Sequence, residues 1–191
     1  CSQTQISELD VTNNTQLEHL DCNNTQISVL DVTKNIELKK FVCNNTQISE
    51  LDVTNNTQLE HLDCFGTQIT KLDVTNSTKL KYLDCCNINI TKLDVTKNIE
   101  LKYLYCSQTQ ISELDVTNNT QLEELWCNNT QISELDLRYN KELIDLKLPK
   151  SILKITTSKD WSGLISGDFN SKRDWFINNF ELTNDFILEI V

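Results

Sequence analysis

Apolar side chains recur along this chain in one order, L-x-x-L-x-C-x-x-T-x-I-S-x-L-D-V-T-x-N, and the order restarts every 21 residues. One copy runs Leu17, Leu20, Cys22, Thr25, Ile27, Leu30, Val32 and Asn35. Cys1, Cys22, Cys43, Cys64, Cys85, Cys106 and Cys127 mark the period, and Leu148 takes the next place. Residues 1–18 recur unchanged at 106–123, so Cys1 is read as a boundary within a repeat, and no leader or membrane span is legible. Residues two apart on a strand face the same side. The L-x-C segment therefore predicts a short strand with Leu20 and Cys22 inward and His19, Asp21 and Asn23 outward. Each coil should add one parallel strand about 4.8 Å from the last. Leu17, Ile27, Leu30 and Val32 close the core from the other sides. A single coil cannot bury its own apolar residues, so stability must come from stacking neighbours. The return segment is too short and too β-branched for an ordinary α-helix. It predicts extended or 3₁₀ backing, with Asn14, Asn35, Asn56, Asn98, Asn119 and Asn140 shaping a turn.

The strand half of the repeat resembles the leucine-rich-repeat segment L-x-x-L-x-L-x-x-N-x-L, with Cys in the third Leu place and Thr in the Asn place, over residues 1 to about 153. Its length and its cysteine column resemble the cysteine-ladder members of the bacterial internalins. That resemblance implies a solenoid with a parallel sheet on its concave face and little α-helix outside a C-terminal cap. It also implies an extracellular or bacterial cell-surface protein that binds a host or neighbouring-cell partner. The chain departs from the family in stacking Thr4, Thr25, Thr46, Thr67, Thr109 and Thr130 where Asn is usual, with Ile88 interrupting that row.

The register sorts the outward positions into three columns. The first reads His19, Lys40, His61, Tyr82, Tyr103, Glu124, Asp145. The second reads Asp21, Val42, Asp63, Asp84, Tyr105, Trp126, Lys147, and the third Asn23, Asn44, Phe65, Cys86, Ser107, Asn128, Pro149. The coils are otherwise nearly copies of each other, so variation and aromatic residues concentrate on one sheet face. Phe65, Tyr82, Tyr103, Tyr105 and Trp126, with His61 and Asp84 beside them, form the candidate ligand-binding site, since clustered exposed aromatics mark interaction surfaces. Cross-strand stacking that only stabilises the sheet explains the same residues.

Eight cysteines in 191 residues suggest a disulfide framework until the spacing is considered. In-register strands present parallel side chains and a poor disulfide dihedral, so the column is expected to be a reduced, packed ladder. A single file of thiols cannot surround one metal ion tetrahedrally. Cys86 falls outside the column and is expected as an exposed thiol. The aspartates at 10, 31, 52, 73, 94, 115 and 136 form a further column. They are read as hydrogen-bonding to turn backbone, with calcium as the alternative. His19 and His61, two coils apart, suggest no catalytic constellation, so no enzyme is expected. A net charge of −11 argues against nucleic acid and anionic membrane as partners. The repeated N-x-T units are read as incidental to the NNT motif.

From about residue 149 the repeat decays, and residues 154–191 are expected to cap the 1–153 array. Ser171 would start a short helix carrying Trp175, Phe176 and Phe180, with FILEIV as a closing strand; Trp161, Phe169 and Phe186 join the cap aromatics. The functional expectation is a monomeric protein-recognition or adhesion module with no cofactor and no metal, taking a protein or glycan ligand. A structural spacer array and a carbohydrate-binding module are the alternatives.

Overall fold

The computed structural model describes residues 1–158, 176, 177, 179, 182, 185 and 187–191. Six strands follow the L-x-C register: β1 (His19–Asp21), β2 (Lys40–Val42), β3 (His61–Asp63), β4 (Tyr82–Asp84), β5 (Tyr103–Tyr105) and β6 (Glu124–Trp126). Then come β7 (Glu134–Asp136), β8 (Asp145–Lys147), β9 (Lys154–Thr157) and β10 (Ile187–Ile190). A seven-stranded sheet runs β1-β2-β3-β4-β5-β6-β8, every neighbour parallel and displaced by one coil. The middle residue of each strand, Leu20, Phe41, Leu62, Leu83, Leu104, Leu125 and Leu146, points into the core. The fold is the expected leucine-rich-repeat solenoid.

The return side is extended backbone followed by turns rather than helix. Each middle coil makes a single backbone bond there to the coil before, such as Gln47 N to Ile27 O at 2.9 Å. Two consecutive turns then close the coil, Asn35 N donating to Val32 O and Leu38 N to Asn35 O. The aspartate column shapes the entry to these turns: the Asp31 carboxylate accepts both the backbone N–H and the hydroxyl of Thr33, at 2.9 and 2.7 Å. The pattern repeats at Asp10, Asp52, Asp73, Asp94 and Asp115, while Asp136 holds Arg138. Hydrogen bonds from Thr12, Thr33, Thr54 and Thr96 keep Asp10, Asp31, Asp52 and Asp94 below the usual carboxylate range.

The asparagine column does more than turn the chain. Asn56 is fully buried, and its side-chain amide donates to Val32 O and Asn35 O of the previous coil, at 3.1 and 2.8 Å. Asn35, Asn98, Asn119 and Asn140 do the same one coil apart. This buried polar ladder explains how Thr can occupy the slot where leucine-rich repeats stack Asn. Thr25, Thr46, Thr67, Thr109 and Thr130 bond only within their own coil, each hydroxyl donating to the carbonyl of the cysteine three residues before. The buried cross-coil bonds from side-chain amide to backbone run instead through the asparagine column.

Between Cys and Thr the chain bends sharply through one residue of positive φ: Asn24, Asn45, Gly66, Asn87, Gln108 and Asn129, at 50 to 65°. Gly66 adopts this left-handed backbone without strain.

The cysteine ladder is real and reduced: all eight thiols are free, and Cys22, Cys43, Cys64, Cys85, Cys106 and Cys127 have no exposed surface. Burial pushes the Cys22 thiol up to about 11 and Cys127 to about 12. Cys1 departs from the expectation of a core position. It is exposed.

At the C-terminal end the return side does become a sheet, in the order β10-β9-β7. β9 and β10, which belong to the segment read as the cap, pair in parallel with each other and with β7 of the last repeat. The closing strand expected from FILEIV is therefore present as β10. Phe176 is helical and fully buried, and Leu182 and Leu188 join the same core. Trp161, Phe169, Ser171, Trp175, Phe180 and Phe186 lie outside the described residues.

Candidate binding face on the long sheet

The strand register brings most of the expected site residues together. Lys40↔His61, His61↔Tyr82 and Tyr82↔Tyr103 are direct cross-strand partners in the first column. Asp63↔Asp84, Asp84↔Tyr105 and Tyr105↔Trp126 are partners in the second. Side chains this close across a parallel sheet must pack on one another, and they do. His61 stacks on Tyr82 with centroids 4.1 Å apart. Tyr82 meets Tyr103 at 6.3 Å and the edge of Tyr105 at 5.5 Å. Tyr105 meets Trp126 at 4.5 Å, and Lys147 covers Trp126 with its ammonium 3.2 Å from the ring centre. All five of these aromatic side chains are half-buried rather than open. Phe65, in the third column, is also half-buried, and among the described residues no ring contact joins it to the row.

Polar ends are anchored by residues that the sequence reading did not single out. The Tyr103 hydroxyl donates to Glu123 at 3.0 Å and the Tyr105 hydroxyl to Glu124 at 2.6 Å. The Trp126 indole N–H donates to Asp145 at 2.9 Å. Each anchor lies on the following coil, 20 residues on for Glu123 and 19 for Glu124 and Asp145.

The electrostatics of the row are those of a partly desolvated surface. Burial, then the charge of Lys40, lowers the His61 imidazole to about 4, so the ring is neutral at physiological pH. Burial, reinforced by Asp84 and Asp21, lifts Asp63 to about 6. Burial also raises Asp84. Each carboxylate accepts one local backbone N–H, from Phe65 at 3.1 Å and from Cys86 at 2.9 Å. Among the described residues neither has an ion-pair partner, whereas Glu18, Glu60 and Glu123 at the foot of the same strands pair with Lys39, Lys81 and Lys102.

Cys86 corrects an expectation. It occupies the predicted outward column, yet it is only 8% exposed, and its thiol is pushed up to about 12 by burial and then by the Asp84 charge. The Cys86 thiol turns onto Asp84 and Ser107 rather than outward. Val42 in the second column is also buried, at 8% exposed. Among the described residues no group of three or more His, Cys, Asp or Glu is placed to hold a metal ion. No helix among them is long and apolar enough to cross a membrane.

The family model described as Leucine Rich repeats (2 copies) matches residues 99–150. An internalin (inlF) from Listeria monocytogenes is 25% identical, matching over 83% of this chain and 49% of that one with a TM-score of 0.69. The chain has a leucine-rich-repeat fold and resembles the bacterial internalins. A second Listeria monocytogenes structure, the functional domain of InlJ, is described as including a cysteine ladder; it is 24% identical over 86% of this repeat protein and 55% of its own chain, with a TM-score of 0.43. The ectodomain of a plant membrane receptor kinase from Arabidopsis thaliana, solved with CASPARIAN STRIP INTEGRITY FACTOR 2, is 19% identical. It matches over 74% of this repeat protein and 22% of its own chain, with a TM-score of 0.55. The internalin-like array spans about half the length of the two Listeria chains it matches. No curated protein matches it by sequence search.

Proposed function

We propose that this protein is an extracellular or cell-surface recognition module that binds another protein through the outward face of its seven-stranded sheet. The observation that carries the reading is the continuous row His61–Tyr82–Tyr105–Trp126, built from the few positions at which nearly identical coils differ. A pre-packed aromatic row presents large contact area whose side chains are already ordered, so little entropy is lost on binding. The plant receptor ectodomain, a leucine-rich-repeat structure solved with a bound factor, supports a binding role for such an array.

The row favours a protein over a glycan. Sugar stacking needs a free ring face, but Trp126 is contacted by Tyr105 from one neighbouring strand and by Lys147 from the other, and Tyr82 carries His61. What remains accessible are ring edges, hydroxyls and flanking carboxylates, which suit the mixed surface of a folded partner. A spacer array is the second reading, since the same ring contacts stabilise the sheet.

Selection of a displayed peptide library on the protein tests the reading. Peptides selected on the native chain should lose at least tenfold in affinity for the Y103A/Y105A/W126A variant, with the strand and turn circular dichroism unchanged. Equal binding to both proteins removes this face as the binding site.

A further inference from the structure

Two adjoining carboxylates of the face make no ion pair among the described residues. Asp63 and Asp84 are register partners on β3 and β4, so their carboxylates project side by side. Both are half-buried, and Tyr82 and Tyr105 meet edge to face beside them at 5.5 Å. The other anchors of the row are satisfied internally, by tyrosine hydroxyls at Glu123 and Glu124 and the indole N–H at Asp145. The same row already seats one cation, the Lys147 ammonium over Trp126, which shows the chemistry these rings offer. Two coils back, the equivalent aromatic surface lies against two carboxylates, and no cation covers its rings among the described residues; Lys40, diagonal to Asp63 across β2 and β3, acts on that carboxylate without an ion pair. A protein of net charge −11 adds a field that draws basic groups to this face.

Resting on the recognition role proposed above, we infer that Asp63 and Asp84, walled by Tyr82 and Tyr105, receive a lysine or arginine side chain of the protein partner. The cation lies between two like charges, relieves their repulsion, and packs its stem along the tyrosine rings. Asp63 then hydrogen-bonds through the oxygen that Phe65 N leaves free, and Asp84 through lone pairs not taken by the backbone N–H and thiol of Cys86. Basic partner segments are thereby selected, and acidic ones are repelled by the same pair.

The probe is hexa-arginine, followed by backbone-amide chemical shifts and by calorimetry at about 50 mM salt, where surface charges are weakly screened. Saturable binding is expected, with shifts concentrated at Asp63, Tyr82, Asp84 and Tyr105. D63N/D84N should weaken it at least tenfold; asparagine keeps the oxygen that accepts the local N–H, so the fold is retained. E8Q/E50Q removes the same net charge from exposed return-side positions and should change affinity less than twofold. Equal weakening by both double variants, shifts scattered over the acidic surface, or a neutral hexasaccharide shifting these amides while hexa-arginine does not, overturns the inference. If display-selected peptides need Tyr103, Tyr105 and Trp126 yet show no enrichment in Lys or Arg, the binding face stands and this cation site falls.

Discussion

The imidazole of His61 lies flat on the phenol of Tyr82, centroids 4.1 Å apart and planes 10° from parallel. The stack buries the histidine, and burial is the first reason its pKa falls to about 4. An unfolded histidine titrates near ~6.5. Stability from the neutral ring is thus complete above about 6.5 and is lost as pH falls through about 4. Asp63 runs the other way: its folded value of about 6 exceeds the unfolded ~3.9, so stability is present below ~3.9 and lost as pH rises through about 6. Nuclear magnetic resonance titration should place the His61 midpoint near 4, and D63N should raise the melting temperature at pH ~7 but not at pH ~4. A His61 midpoint at the ordinary value contradicts the stack.

The asparagine ladder makes a second prediction. N56A removes two buried donors, leaving Val32 O and Asn35 O with one bond fewer each, and should cost about 2–3 kcal/mol in chemical denaturation. Ser77 interrupts the column, and its hydroxyl is without a partner among the described residues. S77N restores a side chain that reaches Val53 O and Asn56 O. The Oδ1 atoms of Asn35, Asn56, Asn98 and Asn119 find no donor, so the expected gain is held to about 1 kcal/mol. A loss of stability in S77N contradicts this assignment of the ladder.

Thiol accessibility makes a third. The seven thiols from Cys22 to Cys127 should react only on unfolding. C86A should leave the labelling rate of the folded protein unchanged. Rapid labelling of Cys86 would mean that the third column is open.

These outcomes separate what was readable in the sequence from what was not. The 21-residue cysteine period sets the strand register, and with it the inward Leu62 and Cys64 and the outward His61 and Asp63, because alternation along a strand leaves no other choice. The aromatic row follows from that register alone. Cys86 shows that direction is not exposure: the register aims it outward, but its thiol turns onto Asp84 and Ser107 and is buried. Asn56 was read as a turn former, which is a local property, whereas its two bonds span 24 and 21 residues and depend on how coils stack. The contacts of Tyr105 with Glu124 and of Trp126 with Asp145 depend on rotamers, which spacing does not specify.

The central claim, that the outward sheet face binds the partner, is tested most directly by scoring every substitution from residue 19 to residue 147 for binding to library-selected peptides, with folding scored in parallel. The prediction is that positions losing binding while keeping the fold cluster at Tyr82, Asp84, Tyr103, Tyr105 and Trp126, and that the return-side column of Asp31 to Asp115 is silent. Binding losses centred on the return side, with the tyrosine and tryptophan positions freely substituted, would contradict it.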